Sequence, residues 1–222
     1  MYVTISHGNA QPFAPSKLAA RKTPLKTLKK GAYLYFEGDD VTHLFIIETG
    51  VVRLTRVLED GRRQVIAFGY PGDIIGFPAQ DTHHTDCDAL CDTKLCSIPR
   101  KVLEDSSADP DLHSVLIQAA LQEISAMQDH FMMLGRKSAP EKVASFLTVL
   151  LERIGDTSVE PQVLALPMSR SDIADFLGLT TETVCRCLTA LRKAEIIRID
   201  GISKVAVLDQ SALAQRADGQ LN

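Results

Sequence analysis

The chain has 222 residues, of which 24 are Lys or Arg and 28 are Asp or Glu, giving a formal net charge of −4. This net acidity excludes a global basic field as the basis of nucleic-acid binding, and because no run of about 18 or more apolar residues occurs, a membrane-spanning helix is excluded as well. The first twenty residues lack a signal-peptide pattern and the five cysteines are irregularly spaced, so we expect a cytoplasmic protein with reduced thiols.

The N-terminal part of the chain changes from an aperiodic segment to β texture. Residues 1–24 mix Gly, Pro, Ser, Ala and Lys and are predicted to form a flexible basic arm. From Leu25 onward, short runs such as HLFIIETG and RQVIAFGY are rich in β-branched and aromatic residues, and Gly-containing turn signals separate them. Many short strands at nearly regular spacing predict a barrel or a β-roll over residues 25–108.

After residue 108 the hydrophobic period becomes that of a helix. Apolar side chains recur at alternating steps of three and four through about three heptads, as in the seam of a coiled coil. The positions of this seam are Ile117, Ala120, Ile124, Met127, Phe131 and Leu134. Residues 109–137 are therefore predicted to be a dimerisation helix; the alternative is that the seam packs on its own domain.

The C-terminal residues, 138–222, have the pattern of a winged helix. A helix is predicted from Pro140, a good first-turn residue, to Ile154, followed by a loop over GDTSVEPQ. Near the C-terminus, two strands are predicted about the turn Asp200-Gly201, and these would form the wing. The predicted fold class is thus α+β, with a β-roll, a long helix and a winged helix-turn-helix.

Between the loop and the wing lies the pattern of two short crossing helices. Ser169 with Asp172 three residues later resembles a capping box at the start of the first helix. The small residues Ala174 and Gly178 allow the second helix, which begins near Thr180, to cross the first closely. This spacing indicates a helix-turn-helix, the motif that places its second helix in the major groove of DNA.

The second helix, TTETVCRCLTALRK (180–193), separates into two faces on a helical wheel. The face predicted to be buried consists of Val184, Cys187, Leu188 and Leu191. The opposite face carries Glu182 and Arg186, with Cys185 on its flank. Arg can donate two hydrogen bonds to guanine and Glu can accept one from cytosine, so this pair is a candidate for base readout. The alternative is a plain surface salt bridge.

This succession of roll, long helix and winged helix resembles the Crp/Fnr family of bacterial transcription regulators over nearly the whole chain after residue 25. GRRQVIAFGYPGDIIGF (61–77) is similar to the family's roll segment, and PMSRSDIADFLGLTTETVCRCLTALRKAEII (167–197) is very similar to its DNA-binding motif. The resemblance is to a FixK-like branch that lacks the N-terminal cysteines of Fnr. It implies a homodimeric activator that binds double-stranded DNA and controls genes of low-oxygen respiration or nitrogen fixation.

The resemblance also assigns residues to DNA. It implies that Glu182 and Arg186 contact bases of a two-fold symmetric operator. Crp proper has Arg at the position of Thr181, so its absence here favours an Fnr-type half-site, TTGAT or similar. The full set of residues predicted to contact DNA is Ser169, Arg170, Thr180, Thr181, Glu182, Thr183, Cys185, Arg186, Thr189 and Lys204.

The family acts through RNA polymerase, which makes the loop of Glu59, Asp60, Gly61 and Arg62 a candidate polymerase contact. A solvated hairpin turn is the alternative for this loop. An enzyme is not expected, because no Gly-Lys-Ser/Thr phosphate loop or nucleophile elbow occurs in the sequence.

Cyclic-nucleotide-binding members of the family carry a Gly-Glu pair after the Pro-Gly-Asp turn and, shortly after it, an Arg that pairs with the cyclic phosphate. Here Gly76 is followed by Phe77, and no Arg occurs between Phe77 and Lys94. A cyclic nucleotide is therefore not expected, and a cAMP-responsive regulator is the least favoured reading.

An iron–sulfur cluster of the Fnr type needs four thiolates, yet this chain has no Cys before Cys87. Cys96 matches the remaining Fnr ligand position and cannot hold a cluster alone. A haem- or metal-sensing regulator that uses the roll is the alternative hypothesis, with Cys87, Cys91 and Cys96 beside His83 and His84 as candidate ligands. Their spacings match no common zinc motif, so no metal or other cofactor is expected.

The outward cysteine raises a separate question. Cys185 lies beside an Arg in the first two turns of its helix, and both features stabilise a thiolate. Oxidation would place charge or volume against phosphate, which makes Cys185 a candidate redox switch. The alternative, a residue of Ser size that packs near the DNA backbone, is equally compatible with the sequence, because the resemblance implies Ser at this position in Fnr proteins.

Overall fold

The computed structural model describes residues 25–78, 80–155, 160–201 and 203–219. The expected arm at residues 1–24 lies outside the described residues. The described chain divides into two compact units, and the division falls between Met127 and Gln128, within a long helix. The first unit contains the strands predicted for the roll, and the second contains the predicted winged helix.

Antiparallel strands build the first unit and confirm the predicted roll. Their bounds are β1 (Leu25–Leu28), β2 (Tyr33–Tyr35), β3 (His43–Thr49), β4 (Val52–Val57), β5 (Arg63–Gly69), β6 (Ile74–Ile75), β7 (Asp86–Ala89) and β8 (Thr93–Pro99). They form two four-stranded sheets, in the orders β1-β8-β3-β6 and β2-β7-β4-β5. The turn at Gly50 has φ +91°, and a Cβ there would collide with Thr93, so only glycine suits this position.

Two helices follow the roll, α1 (Lys101–Glu104) and the long helix α2 (Pro110–Arg136). The start of α2 has Pro in its first turn, and the side chain of Asp109 accepts the N–H of Leu112 at 3.1 Å. With 27 residues, α2 is about 40 Å long at the usual rise per residue.

The face of α2 that carries the predicted seam is largely uncovered by its own chain. Ile117, Ile124, Met127 and Phe131 are 40%, 52%, 47% and 76% exposed. Ala120 and Leu134 are partly buried. Large apolar side chains are seldom left in water as a continuous stripe, but the role of the stripe as a dimer seam stays a prediction.

Alternating residues of the strands face two different cores. Phe45, Leu54 and Leu95 belong to a cluster formed by side chains of both sheets. On the other face of the first sheet, Ile46 packs with Leu116 of α2. This period of two follows from strand geometry, and each fully buried Leu or Ile stabilises the fold by about 1.5–3 kcal/mol.

The second unit holds the remaining elements and confirms the winged helix. Their bounds are α3 (Ala139–Ile154), β9 (Gln162–Ala165), α4 (Arg170–Leu177), α5 (Thr181–Lys193), β10 (Ile197–Asp200), β11 (Lys204–Val207) and α6 (Gln210–Ala217). The strands pair in the order β10-β11-β9. The sequence predicted α3, α4, α5 and the two wing strands, whereas β9 begins where a loop was expected and α6 was not predicted at all.

None of the helices in the four described ranges combines the length and apolarity needed to cross a bilayer.

Candidate nucleic-acid interface

The first helix of the motif, α4, is fixed by a reciprocal cap. The Asp172 carboxylate accepts the N–H of Ser169 at 2.9 Å, and the Ser169 hydroxyl accepts the N–H of Asp172 at 3.1 Å. Both interactions use donors that a helix start leaves unpaired. The capping box expected from sequence is thus confirmed, and it fixes the residue at which α4 begins.

The turn between the helices depends on Gly178. Its φ of +62° lies in the left-handed region, where glycine has no Cβ penalty. The next N–H, of Leu179, closes the turn by donating to the carbonyl of Ala174 at 2.9 Å. Because this turn is tight, α5 begins only a few residues after the end of α4 and crosses it closely.

The buried side of α5, the reading helix, holds it against its own unit. Thr180 caps the helix by accepting the N–H of Thr183 at 3.2 Å. The side chains predicted to face inward are all buried in the structure, namely Val184, Cys187, Leu188 and Leu191. The predicted wheel is thus confirmed, and the opposite face of α5 is turned to solvent.

Glu182 and Arg186 lie on that outward face. Their side chains are 79% and 70% exposed, and a guanidinium nitrogen of Arg186 lies 3.7 Å from a carboxylate oxygen of Glu182. An exposed pair of this kind contributes about 1 kcal/mol or less to stability. The pair therefore contributes little to the stability of the fold, and both side chains are accessible for hydrogen bonds with another molecule.

The two cysteines of the reading helix lie in different surroundings. Cys187 is buried, and burial raises the pKa of its thiol, an effect that Arg186 opposes. Cys185 is exposed. Burial lowers the pKa of Arg170, on α4, and Cys185 acts in the opposite direction, so the two side chains are close enough to interact across the motif. The sequence placed only Arg186 beside Cys185.

The predicted DNA-contacting set is mostly accessible. Its exposed members are Ser169, Thr180, Thr181, Glu182, Cys185, Arg186 and Lys204. Arg170, Thr183 and Thr189 are partly buried. Lys204 belongs to the wing rather than to the helix-turn-helix, at the start of β11 and in register with Asp200. DNA contact by these residues stays a prediction.

The wing is held in shape by a local ion pair. The guanidinium of Arg198 donates to the Asp200 carboxylate at 2.9 Å, and this hydrogen bond lowers the pKa of Asp200. Arg198 is thereby held by its own strand, which leaves Lys204 as the basic wing residue that we predict to contact phosphate.

The candidate polymerase loop connects β4 and β5. Asp60 pairs with Arg62, the guanidinium nitrogen lying 2.7 Å from the carboxylate oxygen, and Leu58 beside it is 45% exposed. Charged side chains on an exposed hairpin suit either a solvated turn or a protein contact, and the role of this loop stays a prediction.

Two thiols of the roll, those of Cys87 and Cys96, are held in the protonated form. Cys87 is fully buried, and burial raises its pKa far above the usual range. Burial, together with the Glu48 carboxylate to which the thiol donates at 2.9 Å, raises the pKa of Cys96 to about 11. Such thiols are weak metal ligands.

The candidate metal ligands also do not converge. The His83 ring stacks on Tyr35 with 3.5 Å between ring centroids, whereas its neighbour His84 is exposed. Within the parts of the chain that the structure describes, no three His, Cys, Asp or Glu side chains come together as a metal ion would require.

A pocket of about 290 Å³ opens in the roll beside the His83 ring. Asp39 and Asp40 line it together with Lys26, whose ammonium lies 5.7 Å from the centre of the Phe45 ring. Carboxylates at the wall repel a phosphate and the ammonium of Lys26 attracts one, so the expectation that the roll binds no cyclic nucleotide stays a prediction.

Two known protein families match the chain, one in each of the two compact units. Residues 25–108 match the family described as the cyclic nucleotide-binding domain, and residues 141–216 match the Crp-like helix-turn-helix domain. The nitrogen fixation regulation protein FixK of Rhizobium meliloti is 35% identical over 95% of this chain and 92% of its own. FixK of Azorhizobium caulinodans is 39% identical over 79% of this chain and 73% of its own. The solved structure of FixK2 from Bradyrhizobium japonicum superposes with a TM-score of 0.79 at 34% identity, covering 87% of this chain and 96% of that one.

Proposed function

The chain belongs to the Crp/Fnr family of DNA-binding transcription regulators, and from this premise we propose that it binds, as a homodimer, a two-fold symmetric operator with TTGAT-like half-sites. The proposal includes activation through RNA polymerase, with the loop from Glu59 to Arg62 as the contact. It also includes control of genes for low-oxygen respiration or nitrogen fixation. Support for that role comes from the two FixK relatives, whose names describe nitrogen fixation regulators.

The observation that carries the proposal is the exposed pair on a rigidly held helix. Glu182 and Arg186 project from α5, which is capped at Thr180 and packed along its other face. A guanidinium donates two parallel hydrogen bonds to guanine, and a carboxylate accepts one from cytosine. Because the helix is fixed before DNA arrives, little ordering of its backbone opposes binding.

The exposed stripe on α2 supports the dimer. A second copy packed along Ile117, Ile124, Met127 and Phe131 would remove these side chains from water, and each large apolar side chain so buried contributes about 1.5–3 kcal/mol. A two-fold dimer would present its reading helices to half-sites one helical turn apart, about 34 Å.

We expect the protein to bind a TTGAT-N4-ATCAA palindrome at least about tenfold more tightly than a TGTGA palindrome, since each mismatched base pair costs about 1–3 kcal/mol. Gel-shift titrations at several salt concentrations measure both affinities, and a scrambled duplex of equal composition reports the non-specific background. Tighter binding to TGTGA would overturn the half-site assignment, which rests on Thr181.

We further propose that oxidation of Cys185 weakens operator binding. Its thiol is exposed on the DNA-facing side of α5, with Arg170 and Arg186 near it. Hydrogen peroxide transfers an oxygen to the thiolate, giving a sulfenic acid and hydroxide, which takes up a proton to become water, and a second equivalent oxidises the sulfenic acid to a sulfinic acid. The added negative charge would then lie against phosphate.

Peroxide treatment is expected to reduce operator affinity of the wild type at least about tenfold, as expected when like charges repel across a partly desolvated interface. Cys185→Ser should bind equally well before and after treatment. Cys91→Ser, which removes a partly exposed thiol of the roll, serves as the matched control and should lose affinity like the wild type. An equal loss in wild type and Cys185→Ser would exclude the switch.

A further inference from the structure

The last turns of α2 belong to the same compact unit as the reading helix. His130 of α2 is 8% exposed, and its ring stacks on Phe176 of α4 with 4.3 Å between the ring centroids. Phe176 is fully buried and also contacts Phe146 of α3, at 5.8 Å. The imidazole therefore lies in an aromatic stack that joins α2, α3 and α4.

His130 acts in this stack as a neutral ring. Burial, opposed by a hydrogen bond with the backbone of Phe176 and assisted by the charge of Lys142, lowers its pKa to about 4. The imidazole is therefore uncharged near neutral pH. Its contribution is packing of fixed geometry rather than an ion pair.

A second contact from α2 reaches the turn of the helix-turn-helix. A Cδ atom of Leu134 lies 3.8 Å from the point that a Cβ on Gly178 would occupy. This turn sets the angle at which α5 leaves α4. The Leu134 side chain therefore lies beside the turn that sets the direction of the reading helix.

A third contact follows the end of α2. The ammonium of Lys137 donates to the Ser145 hydroxyl at 2.8 Å and to the carbonyl of Ala217 at 2.8 Å. Ser145 is fully buried in α3, and Ala217 is the last residue of α6. A cation that donates to the carbonyl end of a helix is favourably placed, so Lys137 joins the end of α2 to two further helices.

From these three contacts we infer that His130, Leu134 and Lys137 form a bracket that positions the reading helix relative to the last turns of α2. The inference rests on the proposed function, since it concerns a homodimer on a palindrome. In such a dimer the bracket fixes the distance and angle between the two reading helices. The three side chains thereby determine which spacing between half-sites the protein accepts, without touching DNA.

Spacing between half-sites is a sharp probe of this role. Inserting or deleting one base pair moves a half-site by about 3.4 Å and rotates it by about 34°. A rigid bracket cannot follow that displacement, so at least one base contact is lost. We expect the wild type to bind the palindrome with a four-base-pair spacer at least about tenfold more tightly than palindromes with three or five.

The experiment compares the full chain with His130→Ala, His130→Phe and Lys137→Met on these three duplexes. His130→Ala and Lys137→Met are expected to reduce the preference for the middle spacer to about threefold or less, because a looser joint lets each reading helix follow its half-site. His130→Phe keeps an aromatic ring in the stack and should retain the wild-type preference. Lys101→Met, which removes an exposed lysine of the first unit, is the control for loss of charge.

A purely structural role for the bracket would weaken binding to all three duplexes by the same factor. An unchanged spacing preference in Lys137→Met would thus overturn the inference. This substitution keeps the aliphatic part of the side chain, so the variant tests the bracket even if His130→Ala does not fold. Wild-type protein that bound random DNA as tightly as any palindrome would overturn the proposed function together with the bracket. Specific binding with an unchanged preference would overturn the bracket alone.

Discussion

Arg186→Ala is expected to lower the affinity for a TTGAT-type palindrome by about 2–6 kcal/mol, roughly 30-fold to 10⁴-fold in Kd, because one bidentate base contact worth about 1–3 kcal/mol is lost in each half-site. Discrimination at the base that Arg186 reads should disappear, while discrimination at the other positions stays. Titration of wild type and variant against duplexes with each base pair replaced in turn measures both effects.

Arg192→Ala is the matched control for this substitution. Arg192 lies on the same helix and is also exposed, so its removal takes away the same charge. Because Arg192 lies outside the predicted DNA-contacting set, its removal should weaken binding to all sequences by a similar factor, through the lost charge alone. An Arg186→Ala protein with the wild-type base preferences would refute the assignment of base readout to Arg186.

The second large effect is expected from the exposed stripe of α2. Ile124→Asp combined with Phe131→Asp should convert the dimer into a monomer, since four carboxylates would then lie in an apolar seam. Affinity for the palindrome should fall at least about 100-fold, because the two half-sites would no longer be bound by linked modules. Light scattering measures the mass and a gel-shift titration the affinity.

The variant should stay folded, because both side chains are more than half exposed in the single chain, at 52% and 76%. Gln118→Asp, an exposed position of α2 outside the predicted seam, is the control and should remain dimeric. A doubly substituted protein that kept the mass of a dimer would show that the chains associate elsewhere.

The parts of this protein that the sequence predicted are those set by local rules. The period of three and four identified α2, and the capping pair Ser169 and Asp172 identified the start of α4. On α5 the wheel separated Cys187 from Cys185, because the side of a helix on which a residue lies depends only on its position along that helix. The outward position of Glu182 and Arg186 followed for the same reason.

The parts that the sequence missed depend on partners far away in the chain. QVLA, unlike the two wing strands, has no hairpin turn beside it that would identify a strand, and β9 forms because β11, far along the chain, pairs with it. The interaction of Arg170 with Cys185 and the two bonds of Lys137 likewise join different helices. Such contacts leave no periodic pattern that could be read in advance.

Helix α6 was also not predicted from the sequence, but for a different reason. Asp209 caps it by accepting the N–H of Ala212 at 2.8 Å, and an Asp directly before a helix-forming run is a start signal. The signal was present, but the segment is short and follows a predicted strand directly. Its end matters to the bracket, since Ala217 accepts one of the bonds from Lys137.

The pairing of β9 with β11 has a consequence for how this protein can diverge. The strand that precedes the helix-turn-helix and the strands that follow it belong to one sheet, so both ends of the motif are tied to the same frame. The outward side chains of Glu182 and Arg186 are exposed, whereas the inward side chains of α5, such as Val184 and Leu188, are buried. A lineage could therefore exchange Glu182 and Arg186, which we propose to contact DNA, and acquire a new set of target promoters with little effect on folding. The outward surface of α5 can in this sense change in sequence independently of the rest of the second unit, which supports it.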